Sequence, residues 1–438
     1  MRQKTRIELA REGIITQELR EAARAEEVEP QHLAQLLASG RAVLVLNRLS
    51  EGRKPPLAMG QGLRTKVNAN IGTSRDKDSL EEEEAKLQVL ERYGADAVMD
   101  LSTGGRIKEL RELILSRRSL SFGTVPIYEA AVRAAEQKGS IVRMSPEDIF
   151  QAIAQHAREG VDFITVHVGI TMEAIERMRQ QGRVLDVVSR GGSLLLEWML
   201  YNQKENPLYV EYDRLLEIAR QYDLTLSLGD ALRPGCLKDA TDRAQVQELL
   251  TLAELRDRAL EAGVQVIIEG PGHVPLNEVQ LNIKLQKALC KGAPFYVLGP
   301  LVTDIAVGYD HIAAAIGGAL AGAAGADFLC YVTPSEHIRL PSLQDVKEGL
   351  IASRIAAHAA DLAKGLSSAW RKDNQMARCR KNLDWEGQIA LSLDPEKVRT
   401  YRAEAPPSEA ELCSMCGAFC AIRTVRRALE GKNPETHP

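Results

Sequence analysis

The stretch SPEDIFQAIAQHAREGVDFITVHV, residues 145–168, contains the unit from which the fold is read. Its first part opens on Ser145, a helix-capping residue type, and closes on Gly160, a residue type suited to helix ends. Between them the apolar residues recur at helical spacing. Its second part, DFITVHV (162–168), is a short apolar run rich in β-branched residues, as expected of a strand covered on both faces. Outward from this stretch the same signals repeat. Further strand-like runs are DAVMDLS (96–102), FGTVPIY (122–128), VLDVVSR (184–190), LTLSLGD (224–230), VQVIIEG (264–270), FYVLGP (295–300) and DFLCYVT (327–333). Helical stretches such as 242–263 and 343–365 lie between them. Eight strand-like runs alternating with helices predict an α/β protein built on a (β/α)8 barrel. The competing arrangement is an open doubly wound sheet, but no G-x-G-x-x-G opens its first crossover.

The flanks read differently. Residues 1–60 predict an α-rich region with one short strand, AVLVLN (42–47), and residues 61–365 the catalytic barrel. Residues 366–438 predict a more polar helical segment ending in a cysteine-bearing tail. The 438 residues are 45% apolar and only 4% aromatic, so the core must be built from Leu, Val, Ile and Ala. The formal net charge is −4 with both signs interspersed, which favours neither a nucleic-acid partner nor a membrane surface. No apolar run approaches a membrane span, and MRQKTRIELAREG has no apolar segment typical of a secretory signal. The expected location is the cytoplasm.

Polar or Gly-rich sequences end several of the strand-like runs: STGG, VSRGG, GDALRPG, EGPGHVP and TPSEH. In a barrel the loops after the strands form the catalytic face. Ser189-Arg190-Gly191 and Asp230-Ala231-Leu232-Arg233 pair a guanidinium with flexible backbone N–H groups, a combination suited to phosphate or carboxylate, or to salt bridges between loop and barrel. Asn68 and Asn70 add amides. His273 and His337 fall on two such loops, where facing imidazoles can hold a divalent metal; each can equally be a hydrogen-bonded structural residue.

Seven cysteines in a large chain, an odd count, argue against a disulfide framework. Cys236, Cys290, Cys330 and Cys379 are scattered and read as small buried hydrophobes. Cys413, Cys416 and Cys420 form C-x2-C-x3-C. Zinc would lack its usual fourth ligand there, since His437 is distant in sequence. A [4Fe–4S] cluster on three cysteines keeps one iron open, which can bind S-adenosylmethionine and generate a 5′-deoxyadenosyl radical.

RTKVNANIGTS, VMDLSTGG, GTVPIY, VSRGGS, EGPGHVP, APFYVLGPL, CYVTPSEH and the CSMC tail resemble the phosphomethylpyrimidine synthase family, from about residue 8 to residue 425. The resemblance implies a (β/α)8 barrel, a [4Fe–4S] cluster on Cys413, Cys416 and Cys420, S-adenosylmethionine with an external electron donor, and 5-aminoimidazole ribotide as substrate. It implies a homodimer in which the cluster domain reaches the partner's barrel. It assigns substrate contacts to Asn70, Met99, Tyr128, His167, Ser189, Arg190, Gly191, Asp230, Ala231, Leu232, Arg233, Glu269 and Tyr296, and zinc or another divalent metal to His273 and His337. Glu269 is the candidate acid or base. The family makes either the thiamin pyrimidine phosphate or, in paralogues that sometimes act with a second paralogue, 5-hydroxybenzimidazole for cobamides. Ala231, Val307 and Arg339, and the LAMGQG run, depart from the pyrimidine-forming pattern. Reshaping of the ribotide loop at these places favours the benzimidazole product; pyrimidine synthesis with neutral changes is the alternative. A non-enzymatic metal-binding module is the reading from another class.

Overall fold

The computed structural model describes residues 3–117 and 119–431, so His437 lies outside it. The chain divides into two compact units, one ending at Lys364 and the other starting at Gly365. In the first, eight parallel strands close into a barrel. They are β3 (Lys66–Ile71), β4 (Ala97–Asp100), β5 (Ser121–Thr124), β6 (Phe163–Val166), β7 (Thr225–Leu228), β8 (Val266–Gly270), β9 (Phe295–Leu298) and β10 (Phe328–Cys330). Each pairs with the next, and β10 closes on β3 with Cys330 opposite Asn68. An antiparallel pair, β1 (Ala42–Val45) and β2 (Leu57–Gly60), precedes the barrel.

The strand count agrees with the sequence reading, but one member of the set is exchanged. VLDVVSR (184–190) is not a strand. It joins the helices Met172–Gln181 and Arg190–Asn202, and Val184, Leu185 and Val188 stand exposed. The first barrel strand is instead KVNANI, where Val67, Ala69 and Ile71 alternate with Lys66, Asn68 and Asn70. A continuous apolar run was the wrong criterion for a strand whose inward face is polar. In barrels the alternate side chains point to the interior.

Local chemistry sets the helix ends. Ser145 and Asp148 form a reciprocal capping box at Pro146–Glu159, and Gly160 ends that helix at φ 99°. Asp242 caps Arg243–Glu261, and Ser342 with Asp345 caps Leu343–Ala363. Inside the barrel Phe328 meets Phe163 edge to face at 6.2 Å and lies 4.3 Å from the Tyr296 ring. Gly123 makes room for this layer: a Cβ there would come within 2.3 Å of the Phe163 ring.

The α-rich region packs three short helices and the β1–β2 pair around Leu19, Leu33, Leu37 and Leu44. It belongs to the same compact unit as the barrel. Buried polar contacts fasten it: the Arg6 amide donates to Asp223 at 2.9 Å, and the Asn47 amide to Asp162 at 2.9 Å. The second unit has the helices Ser367–Asn382, Trp385–Leu391, Pro395–Glu404 and Ala421–Leu429, with Leu383, Leu412 and Cys420 as its buried cluster. Among the described residues, no helix is long and apolar enough to cross a membrane.

Candidate active site

A cavity of about 430 Å³ opens at the C-terminal ends of the barrel strands. Its walls include Asn70, Met99, Tyr128, Thr165, His167, Arg190, Asp230, Arg233, Glu269, Tyr296 and Cys330, with His273 and His337 among them. Residues from nearly every barrel strand therefore converge on one space, as a barrel active site requires. A hollow of similar size beside Lys54 and Glu112 involves no strand end of this kind.

Glu269, on β8, is the best-held group. Its carboxylate accepts from Thr165 Oγ1 at 2.7 Å and from Ser227 Oγ at 2.5 Å. Burial pushes its pKa up, while these two hydroxyls oppose the rise. Asn68 Nδ2 donates both to Asn70 Oδ1 and to the Tyr296 hydroxyl, each at 2.8 Å. Asn70 Nδ2 reaches Cys330 Sγ at 3.1 Å. Burial drives the Cys330 thiol up to about 11, so it is a neutral wall group.

On the other side Arg233 Nη1 pairs with Asp230 Oδ1 at 3.2 Å, and Asp230 Oδ2 is buried with no partner. Burial raises the Asp230 pKa well above the ordinary range, ahead of the opposing Arg233 charge. Arg190 lies 5.2 Å from the Tyr128 ring centroid and donates to the Leu101 carbonyl at 3.1 Å. His167 pairs through Nε2 with Ser189 Oγ at 3.1 Å, and its Nδ1 has no partner. Burial depresses its pKa to about 3, so the ring is neutral near pH 7. Gly191 lets the helix start lie against that ring: a Cβ there would come within 2.2 Å of it.

Four of the expected contact residues are not in the wall. Ala231 and Leu232 are fully buried behind the turn, and their amides donate to Glu248 at 2.9 and 2.7 Å. Ser189 and Gly191 act on His167 rather than lining the space. Sequence reasoning gave no site role to Thr165, Ser227, Cys330, Glu336 and Glu248. The first three sit on strands it had identified, and the two-residue alternation relating Thr165 to His167 would have found Thr165.

The His273 and His337 rings face each other with centroids 5.5 Å apart. Asp304 Oδ1 lies 2.8 Å from His273 Nδ1, which orients the ring and leaves Nε2 clear. His337 has φ 62°, a left-handed conformation uncommon outside glycine and suggestive of a positional demand. Among the described residues, no three His, Cys, Asp or Glu are gathered to hold a metal ion. The pair thus offers two imidazole donors and leaves other positions to water or substrate.

All seven cysteines are free thiols, and Cys236 and Cys379 are half-buried rather than core residues. In the tail, backbone N–H groups of Cys416 and Met415 lower the Cys413 pKa, which favours the ligating thiolate. Cys416 is exposed; slight desolvation and then the neighbouring Cys413 thiol raise its own pKa. Three soft donors in one short segment are the right chemistry for an iron–sulfur cluster, though they are not gathered around one point here.

A barrel with a polar cavity at its strand ends, joined in one chain to a three-cysteine loop, defines a radical enzyme class. The chain belongs to the radical SAM ThiC family, whose model matches residues 5–427. That class implies a [4Fe–4S] cluster and S-adenosylmethionine. The chain is 63% identical over 427 residues to a phosphomethylpyrimidine synthase of Thermodesulfovibrio yellowstonii, covering 97% of this chain and 100% of the relative. Phosphomethylpyrimidine synthases of Moorella thermoacetica and Geobacter metallireducens are 60% and 58% identical, over 99% of this chain and 100% and 99% of theirs.

Proposed function

We propose that the chain converts 5-aminoimidazole ribotide to 4-amino-5-hydroxymethyl-2-methylpyrimidine phosphate. One observation carries this reading: the cavity presents Glu269, the Asp230–Arg233 pair, Asn70 and Tyr296 together in a chain so similar to proteins named for that activity. The benzimidazole expectation draws less support from the residues that prompted it. Ala231 is fully buried away from the cavity, and its methyl packs near the position a Gly192 Cβ would take. Val307 is exposed and lines neither this cavity nor the hollow beside it. Arg339 pairs with Asp345 at 2.7 Å and lines an adjoining hollow that shares Asn70, Arg190 and His337 with the cavity. LAMGQG contributes β2, outside the cavity lining.

Cys413, Cys416 and Cys420 would hold the cluster, which with S-adenosylmethionine and an external electron donor would supply a 5′-deoxyadenosyl radical. The barrel residues do the rest. Arg233 and Arg190 offer guanidinium groups to the anionic end of the ribotide. Glu269 holds or releases a proton at Oε2, since Oε1 is taken by Thr165 and Ser227. Neutral His167 can accept a hydrogen bond at one nitrogen and donate at the other. His273 and His337 would hold zinc. A homodimer is part of the proposal; Ile305, Tyr309, Ile312 and Ile316 give the barrel unit an exposed apolar surface on and just before one helix.

The test is anaerobic turnover of 5-aminoimidazole ribotide with S-adenosylmethionine and a reductant, with products separated and weighed by mass spectrometry. The pyrimidine phosphate is expected. 5-Hydroxybenzimidazole as the sole product would overturn the reading. A protein that carries no cluster and leaves S-adenosylmethionine intact would favour the non-enzymatic module.

A further inference from the structure

Between Asp230 and Arg233 the chain makes a tight turn, closed by the Arg233 amide donating to the Asp230 carbonyl at 3.2 Å. The two residues inside that turn are held from behind. Glu248, on the helix Arg243–Glu261 and 2% exposed, accepts the Ala231 amide on one carboxylate oxygen and the Leu232 amide on the other. The turn is gripped on its carbonyl side too. Arg183 Nη2 donates to the Leu232 carbonyl at 2.7 Å, and its guanidinium is held by both oxygens of Asp242 at 2.7 Å. Arg183 also begins the segment whose Leu185 and Val188 form another part of the cavity wall.

We propose that Glu248 is a positioning residue of this active site, clamping the turn so that Asp230 and Arg233 present a fixed spacing to substrate. The inference rests on the function proposed above for what that substrate is. Its physical core is that two adjacent N–H groups at fixed geometry suit the two oxygens of one carboxylate. No amide side chain of the same shape provides two acceptors. Glu248 does not line the cavity itself; it lines a smaller hollow behind it together with Asp230, Arg233 and Glu269.

The test is Glu248→Gln in the full-length, cluster-loaded enzyme. The amide NH2 then faces one backbone N–H and leaves it without an acceptor. KM for 5-aminoimidazole ribotide should rise about tenfold or more while kcat stays within about threefold, the pattern of lost binding geometry. Amide hydrogen exchange in the peptide spanning 229–235 should speed up by about tenfold or more, since protection reports local opening. A wild-type KM with unchanged exchange overturns the proposal, as does a loss confined to kcat. If Glu248→Gln does not fold, Arg183→Lys removes the guanidinium fork from the carbonyl side of the same turn. It should raise KM and exchange in the same direction, and wild-type values in it overturn the proposal. If the wild type fails to turn over the ribotide, the proposed function falls, and the exchange measurement alone decides the clamp.

Discussion

The barrel cavity and the cysteine loop are built on opposite principles. In the cavity, the polar groups of Glu269, Asn70, Tyr296 and Arg233 are already held by neighbours at hydrogen-bonding distance. In the loop, Cys416 is exposed, Met415 and Phe419 are 91% and 74% exposed, and Cys420 shares a small buried cluster with Leu383 and Leu412. The difference fits what each is proposed to bind. An organic anion can be met by a surface assembled through packing, hydrogen bonds and guanidinium groups. Three thiolates repel one another until a metal centre draws them together, so such a site is completed by its ligand.

The sharpest break between the two regions comes from Cys416→Ser. Cluster iron and turnover should fall to background while the thermal unfolding of the barrel unit stays unchanged. An activity retained without cluster iron would dissolve the distinction. The reverse case is Glu269→Gln, which keeps the cluster. Activity should fall about 10²-fold or more, within the usual range for losing a general acid or base, with S-adenosylmethionine still bound. A fall of less than twofold would remove Glu269 from the chemistry.

Packing is tested by Phe163→Ala. Removing a fully buried ring from the barrel interior should cost about 3–5 kcal/mol, read by chemical denaturation, with the cysteine loop still able to take up iron and sulfide. Asp304→Asn weakens the orientation of His273. Zinc affinity should drop about 10–100-fold in a chelator competition, as for other partners behind metal-bound histidines. An unchanged affinity would mean that the histidine pair does not hold the metal.

The smallest effect concerns pH. His167 has a folded pKa near 3, below its ordinary value of 6.5, because burial disfavours the charged ring. Between those values the unfolded chain binds the extra proton and the folded chain does not, so this residue makes stability fall as pH drops from about 6.5 toward 3. His167→Gln should flatten that part of the profile by up to roughly 1 kcal/mol per pH unit, measured as the difference in denaturation between variant and wild type. The full acid slope of the wild type also contains carboxylates, so only the difference is informative.

What the sequence determined by itself is local and additive. Helix ends were legible at Ser145, Asp242 and Gly160, because a cap is a relation among residues a few positions apart. Seven of the eight barrel strands announced themselves as apolar runs, because their neighbours cover both faces. The thiol spacing of Cys413, Cys416 and Cys420 lies within one short segment. Family resemblance carried Asn70, Glu269, His273 and His337 to their places in the cavity wall.

Only the tertiary structure decided the rest. It made KVNANI a strand and VLDVVSR a connection, since alternation is meaningful only once a barrel interior exists to receive Asn68 and Asn70. It moved Ala231 and Leu232 from the cavity to the back of the turn, where their amides meet a carboxylate 16 to 17 residues further along. It brought Thr165 and Ser227 to Glu269 across separations of 104 and 42 residues. The physical reason is common to all three. Each contact joins groups that only barrel closure, with its strands in register and its helices docked around them, brings together.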